Sequence, residues 1–82
     1  MAIFMANEAI FEATPAGEWL DARFQDEECG EVFFVELRKM KGETMEDFVE
    51  RCRAIALENF EEPVWLDLVS QDDAEMLGYD TY

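Results

Sequence analysis

The chain has no histidine, only six Lys plus Arg, two Pro and two Cys among 82 residues. Without His, the side chain that most readily moves protons near neutral pH is missing, and no His/Cys zinc pattern can form. Cys29 and Cys52 make no C-x-x-C pair. Cys29 is flanked by Glu28 and Glu31, whose charges discourage a thiolate, so it is a poor nucleophile. Cys52 falls among apolar residues at helical spacing and reads as core, and reduced thiols in a cytosol fit both positions. There is no Gly-x-Ser-x-Gly elbow, no phosphate-cradling glycine loop and no EF-hand spacing. Paired carboxylates carry no information in a chain with 21 acids, because pairs arise by chance. The sequence therefore predicts no catalytic residue, no metal site and no cofactor. No apolar run approaches the roughly 18 residues of a membrane span. The opening "MAIFMANEAIF" lacks a basic region and meets Glu8 early, unlike a signal peptide.

What the chain has in excess is negative charge. Its 21 Asp plus Glu give a net charge of −15. Solubility of a small domain asks for only about 2–8 in magnitude. The bases Arg23, Arg38, Lys39, Lys41, Arg51 and Arg53 all lie in the middle, and the stretch after Arg53 carries eight acids and no base. Such a chain is repelled by DNA, RNA and anionic membranes and attracted to a basic protein surface. Half of the residues are apolar, with seven Phe and two Trp, so a core forms and disorder is not expected. The length suits a single domain over residues 1–82.

The patterning predicts an α+β fold: a mostly antiparallel sheet, with one main helix on one face and a short C-terminal helix. Met45, Phe48, Val49, Cys52, Ile55, Ala56 and Phe60 recur at helical spacing, with Leu57 off the stripe. Thr44 caps this helix, Asp47 follows three residues later, and Pro63 stops it near Asn59 or Phe60. "EWLDARF" and "EVFFVELR" alternate as strands around the loop "QDEECG". One face holds Leu20, Ala22, Phe24, Phe33, Val35 and Leu37. The other holds Trp19, Asp21, Arg23, Val32, Phe34 and Glu36, apolar enough to need a cover from the N-terminal segment or a partner. Ile3 to Ala13 reads as a first strand, completing a three-strand meander, although its alanines also suit a helix. "PVWLDLV" is a further strand. "SQDDAEML" opens a short helix at Ser70 that Gly78 ends, and "YDTY" is a tail.

Polyanion mimicry is the functional class this composition favours. Duplex DNA shows one charge per about 1.7 Å of axis, so fifteen charges match roughly 25 Å of duplex. A compact domain of this length has a diameter on the order of 30 Å. The candidate partner-binding residues are Glu58, Glu61, Glu62, Asp67, Asp72, Asp73, Glu75 and Asp80, with Tyr79 and Tyr82 as aromatic anchors. A second group is Asp26, Glu27, Glu28 and Glu31. Through stretches such as "QDEECGE", "ENFEEP" and "SQDDAE", the chain resembles in composition the small acidic phage-encoded inhibitors, the anti-CRISPR and anti-restriction proteins. That resemblance implies a non-enzymatic inhibitor in a bacterial cytoplasm. Its partner would be a basic nucleic-acid-binding protein such as a CRISPR effector, with no direct contact to nucleic acid or membrane. No motif carries the resemblance, so no residue roles transfer. The competing expectation is an interaction module or accessory subunit that binds through the apolar sheet face around Trp19 and Phe34, with acidity serving solubility.

Overall fold

The computed structural model describes the backbone of residues 2–82 and the side chains of residues 8–82. In chain order the elements are α1 (Ala2–Ala13), β1 (Trp19–Asp26), β2 (Val32–Arg38), α2 (Met45–Asn59), β3 (Pro63–Val69), α3 (Gln71–Leu77) and β4 (Asp80–Thr81). The strands form one sheet in the order β3-β1-β2-β4. β1 is antiparallel to both β2 and β3, and β4 runs parallel to β2. The domain is thus α+β with a mixed sheet.

Register explains why β1 and β2 pair as they do. Leu20 faces Leu37, Ala22 faces Val35 and Phe24 faces Phe33, so apolar residues meet across the strands on the inner face. A slip by one residue would turn this set outward. The turn between the strands holds Gly30 at φ 74°, a left-handed conformation that costs glycine little. Its amide donates to the Asp26 carbonyl at 2.7 Å. Onto the inner face pack Phe48, Cys52 and Ala56 of α2 and Phe11 of α1, all buried. Phe33 stacks on Phe60 with ring centroids 3.8 Å apart.

α2 follows the expected boundaries. Thr44 is its N-cap and accepts from the Asp47 amide at 3.2 Å, which satisfies one orphan donor of the first turn. Leu57 lies off the stripe and is exposed. β3 carries a bulge: Asp67 pairs with Arg23 and Trp65 with Phe24, leaving Leu66 unmatched. Residues two apart normally share a face. The bulge breaks that rule, so Trp65 reaches the Phe24 ring in the core (centroids 5.6 Å) while Asp67 meets Arg23 on the outer face.

Two expected elements are corrected. Residues 3–13 do not form a strand; they lie in α1, so the three-strand meander is a two-strand hairpin flanked by β3 and β4. Alanine at positions 2, 6, 9 and 13 favours helix. The last carbonyls of the helix also find a distant partner. The Lys39 ammonium takes the Phe11 and Thr14 carbonyls at 2.5 and 2.7 Å, where a cation also suits the negative end of the helix dipole. The "YDTY" segment is not a loose tail either. Asp80 and Thr81 pair with Phe33 and Phe34, and Tyr82 exchanges backbone hydrogen bonds with the β2 edge. A two-residue strand has no alternation to reveal it.

The outer sheet face is covered by the chain itself. α3 lies across it, capped by Ser70 and ended by Gly78 at φ 70°. The Tyr79 ring then meets the buried Phe34 ring at 5.6 Å. α1 is on the opposite side, where Phe11 packs on Phe48.

Phe33 should be the costliest single truncation, since it touches Phe24, Phe60 and Tyr82 and joins β2 to both neighbouring layers. Phe33→Ala is expected to lose about 3–5 kcal/mol of unfolding free energy in urea melts. A loss below about 1 kcal/mol would show that this aromatic cluster does not hold the fold.

Candidate functional site

Two acidic runs distant in sequence meet at one end of the molecule. The β1–β2 turn carries Asp26, Glu27, Glu28 and Glu31, and the connection from α2 to β3 carries Glu61 and Glu62. The Glu27 amide donates to the Glu62 carbonyl at 3.1 Å, which ties the two turns together. As a result the Glu28 carboxyl is raised above its ordinary range, first by a hydrogen bond with Glu61, then by partial burial and by the charges of Asp26 and Glu62. Carboxylates crowded this closely resist full ionisation together. Asp26 is different, because it is buried and acts inside the turn. It accepts from the Glu28 amide at 3.2 Å and from the Cys29 thiol at 3.1 Å, and these contacts hold it below the usual carboxylate range, the thiol contact first.

No base balances this end. Among the described residues the ion pairs are Arg23–Asp67, Arg51–Glu43 and Arg53–Glu50, and none includes an acid of either turn. Arg38 lies over the Trp19 ring at 4.9 Å, at the far end of the hairpin, and Lys39 is committed to α1. The last turn of α2 contains no basic residue and does contain Glu58, so the negative pole of that helix adds to the field. Asp80 and Tyr82 border the site. Tyr82 sits edge-on to Phe33 and Phe60, and its hydroxyl is raised by burial, then by Glu31 and Asp80.

The remaining predicted residues fall elsewhere. Asp67 is spent on Arg23, whose Nε donates to it at 2.8 Å, and is not available as a free charge. Asp72, Asp73 and Glu75 are exposed on α3, across the outer face of the sheet. Tyr79 sets its ring edge against Phe34 and is otherwise exposed. The candidate set is therefore two surfaces rather than one, an acidic end and the α3 face.

Both cysteines are free. The Glu31 backbone pulls the exposed Cys29 thiol down, but Asp26 and Glu31 together with partial burial raise it on balance. Burial pushes Cys52 up to about 12. Neither is set up to act as a thiolate at neutral pH.

One feature escaped the sequence reading: Asp21, which faces Glu36 across the β1–β2 pair. Asp21 is only 2% exposed, and its Oδ2 has no hydrogen-bond partner. Burial, and then the Glu36 charge, push its pKa up to about 6. The signal was available in the hairpin register, which sets two acids directly opposite. What hides them is α3, whose position the register does not reveal.

Between the ordinary 3.8 and about 6 the native state holds a proton on Asp21 that the unfolded chain has released. Stability contributed by this group therefore falls as pH rises through that window, by about 3 kcal/mol in all. Asp21→Asn should raise unfolding free energy in urea by up to that amount at pH 7.5 and leave it unchanged at pH 4. Equal effects at both pH values would contradict the buried-carboxylate account. Compared with known proteins, the chain matches no family model, no curated protein and no solved structure.

Proposed function

We propose that this protein is a non-catalytic inhibitor that occupies a basic nucleic-acid-binding surface on another protein by presenting carboxylates in place of phosphates. The observation that carries the reading is the meeting of Glu27, Glu28, Glu61 and Glu62 at one end with no base among them. Arranging acids for solubility alone gives no reason to draw two such runs together, since the cost in repulsion brings no gain in hydration. Three of the six bases, Arg23, Arg51 and Arg53, are paired with acids elsewhere.

Dimensions support the same reading. The domain measures 33 × 24 × 24 Å, and its net charge of −15 averages one charge per roughly 2 Å of the longest dimension. Duplex DNA gives one per about 1.7 Å. Lys and Arg lining a nucleic-acid channel would meet these carboxylates through charge-assisted hydrogen bonds, after fast, steered association. The compositional resemblance to phage-encoded inhibitors makes a CRISPR effector or another DNA-handling enzyme in a bacterial cytoplasm the first partner to test. Among the described residues no helix is long and apolar enough to cross a membrane.

Of the two aromatic residues of the alternative apolar face, Trp19 is exposed and Phe34 is not. The Phe34 side chain is fully buried beneath Tyr79, so an apolar docking face that includes it would need α3 to lift away.

Mixed with its target, whether CRISPR effector or restriction enzyme, the protein should displace duplex DNA, and its affinity should fall at least tenfold between 0.1 and 0.5 M salt. Glu61→Lys combined with Glu62→Lys should weaken binding at least a hundredfold, while circular dichroism and Tm stay intact. Binding that survives molar salt, or that ignores this charge reversal, would overturn the mimicry reading.

A further inference from the structure

The acidic end leaves one observation unexplained. Asp21 is buried without a counter-ion at a site where a neutral residue would be more stable. A desolvated carboxylate is costly unless it is paired and hydrogen-bonded. Its surroundings describe what would pair with it. Between the outer sheet face and α3 lies a cleft of about 340 Å³, lined by Asp21, Glu36, Gln71, Glu75, Tyr79 and Thr81. That volume is at the small end of the range for ligand sites, about 300–1,000 Å³. Three acids and no Lys or Arg line the cleft. The base nearest along β1, Arg23, is already engaged by Asp67.

We propose that this cleft is a socket for a guanidinium group, receiving one arginine side chain of the partner protein, with Asp21 and Glu36 as its acceptors. The proposal rests on the reading of the partner as a basic surface and names one point of that contact. Two cross-strand carboxylates offer several acceptor oxygens, and a guanidinium presents five N–H donors in a fixed planar fork. An ammonium is a compact, strongly hydrated point charge and gains less from a desolvated pair. Tyr79 places an aromatic ring at the rim, suited to the flat face of the same group. Tyr79 and Glu75 are exposed at the mouth while Asp21 lies buried at the base, so entry requires α3 to shift outward but not the sheet to open. The socket also joins the two predicted surfaces. The acidic end would attract a basic partner, and the cleft beside α3 would select an arginine within it.

The test uses the full chain, carbon-13 labelled, with propylguanidinium as the probe and carboxyl shifts as the readout. Saturable shifts are expected at Asp21 and Glu36, and at saturation the proton affinity of Asp21 should fall at least tenfold. Asp21→Asn should weaken the probe at least tenfold while remaining folded, and butylammonium should bind several-fold more weakly. Shallow, non-saturating shifts spread over Glu27, Glu28, Glu61 and Glu62 would overturn the socket, as would butylammonium binding equally well. If the probe fails while DNA displacement by the protein holds, the socket falls and mimicry at the acidic end stands. If the probe saturates while DNA displacement fails, the socket stands and the mimicry reading falls.

Discussion

Repulsion between carboxylates is the constraint around which this fold is arranged. Glu28 lies against Glu61 and Glu62, with Asp26 behind it, and the two turns that carry them are tied by the Glu27–Glu62 backbone hydrogen bond. Like charges held this close work against the compact state. A domain of this size has only about 5–10 kcal/mol of net stability to oppose them. The opposing force comes from the aromatic cluster just beneath. Phe33, Phe60 and Tyr82 interlock at the same end of the sheet, so the tightest ring contact, Phe33 on Phe60, underlies the crowded carboxylates. Packing and electrostatics are set against each other at one place, which is the arrangement expected of a surface kept for binding.

The bases are placed to make this imbalance sharper. Lys39 closes the end of α1, Arg51 holds Glu43, Arg53 holds Glu50 and Arg23 holds Asp67. Each serves the scaffold. Glu43 and Arg51 stabilise each other's charged forms, their mutual hydrogen bond being the main cause for both. The acidic end thus has no ion pair of its own among the described residues, while three of the six bases are held by acids elsewhere. A partner approaching that end meets carboxylates with no base among them, and such local charge steers encounter. Asp21 and Glu36 extend the same economy into the outer face, where a second uncompensated pair waits under α3.

Much of the architecture was legible because its signals are local. Thr44, the apolar stripe from Met45 to Phe60 and Pro63 fix α2 within one stretch of chain. Alternation around "QDEECG" gives the hairpin, and Ser70 with Gly78 brackets α3. Where the sequence misled, the deciding contact was distant. α1 is signalled by its alanines, which favour helix but are outweighed in the pattern by Ile10, Phe11 and the Thr14-Pro15 stop, and it is completed by Lys39, which follows its last turn by many residues. β4 depends on the free edge of β2. The bulge at Leu66 reverses the face of Trp65 relative to Asp67, and no composition rule announces it. The candidate site shows the same division. Its residues could be chosen by charge alone, but their separation into an acidic end and an α3 face required the fold. Asp67 could be recognised as already paired only once β3 lay beside β1.

The most direct test of this account is the salt dependence of thermal stability, because salt screens exposed charges over a Debye length of about 10 Å at 0.1 M. The Tm of the unmodified chain should rise steeply between 0.02 and 0.5 M sodium chloride. Most of that rise should vanish when Glu27, Glu28, Glu61 and Glu62 are together replaced by Gln. A Tm indifferent to salt, or one that climbs equally in the four-fold variant, would contradict the claim that uncompensated charge is concentrated at this end of the molecule.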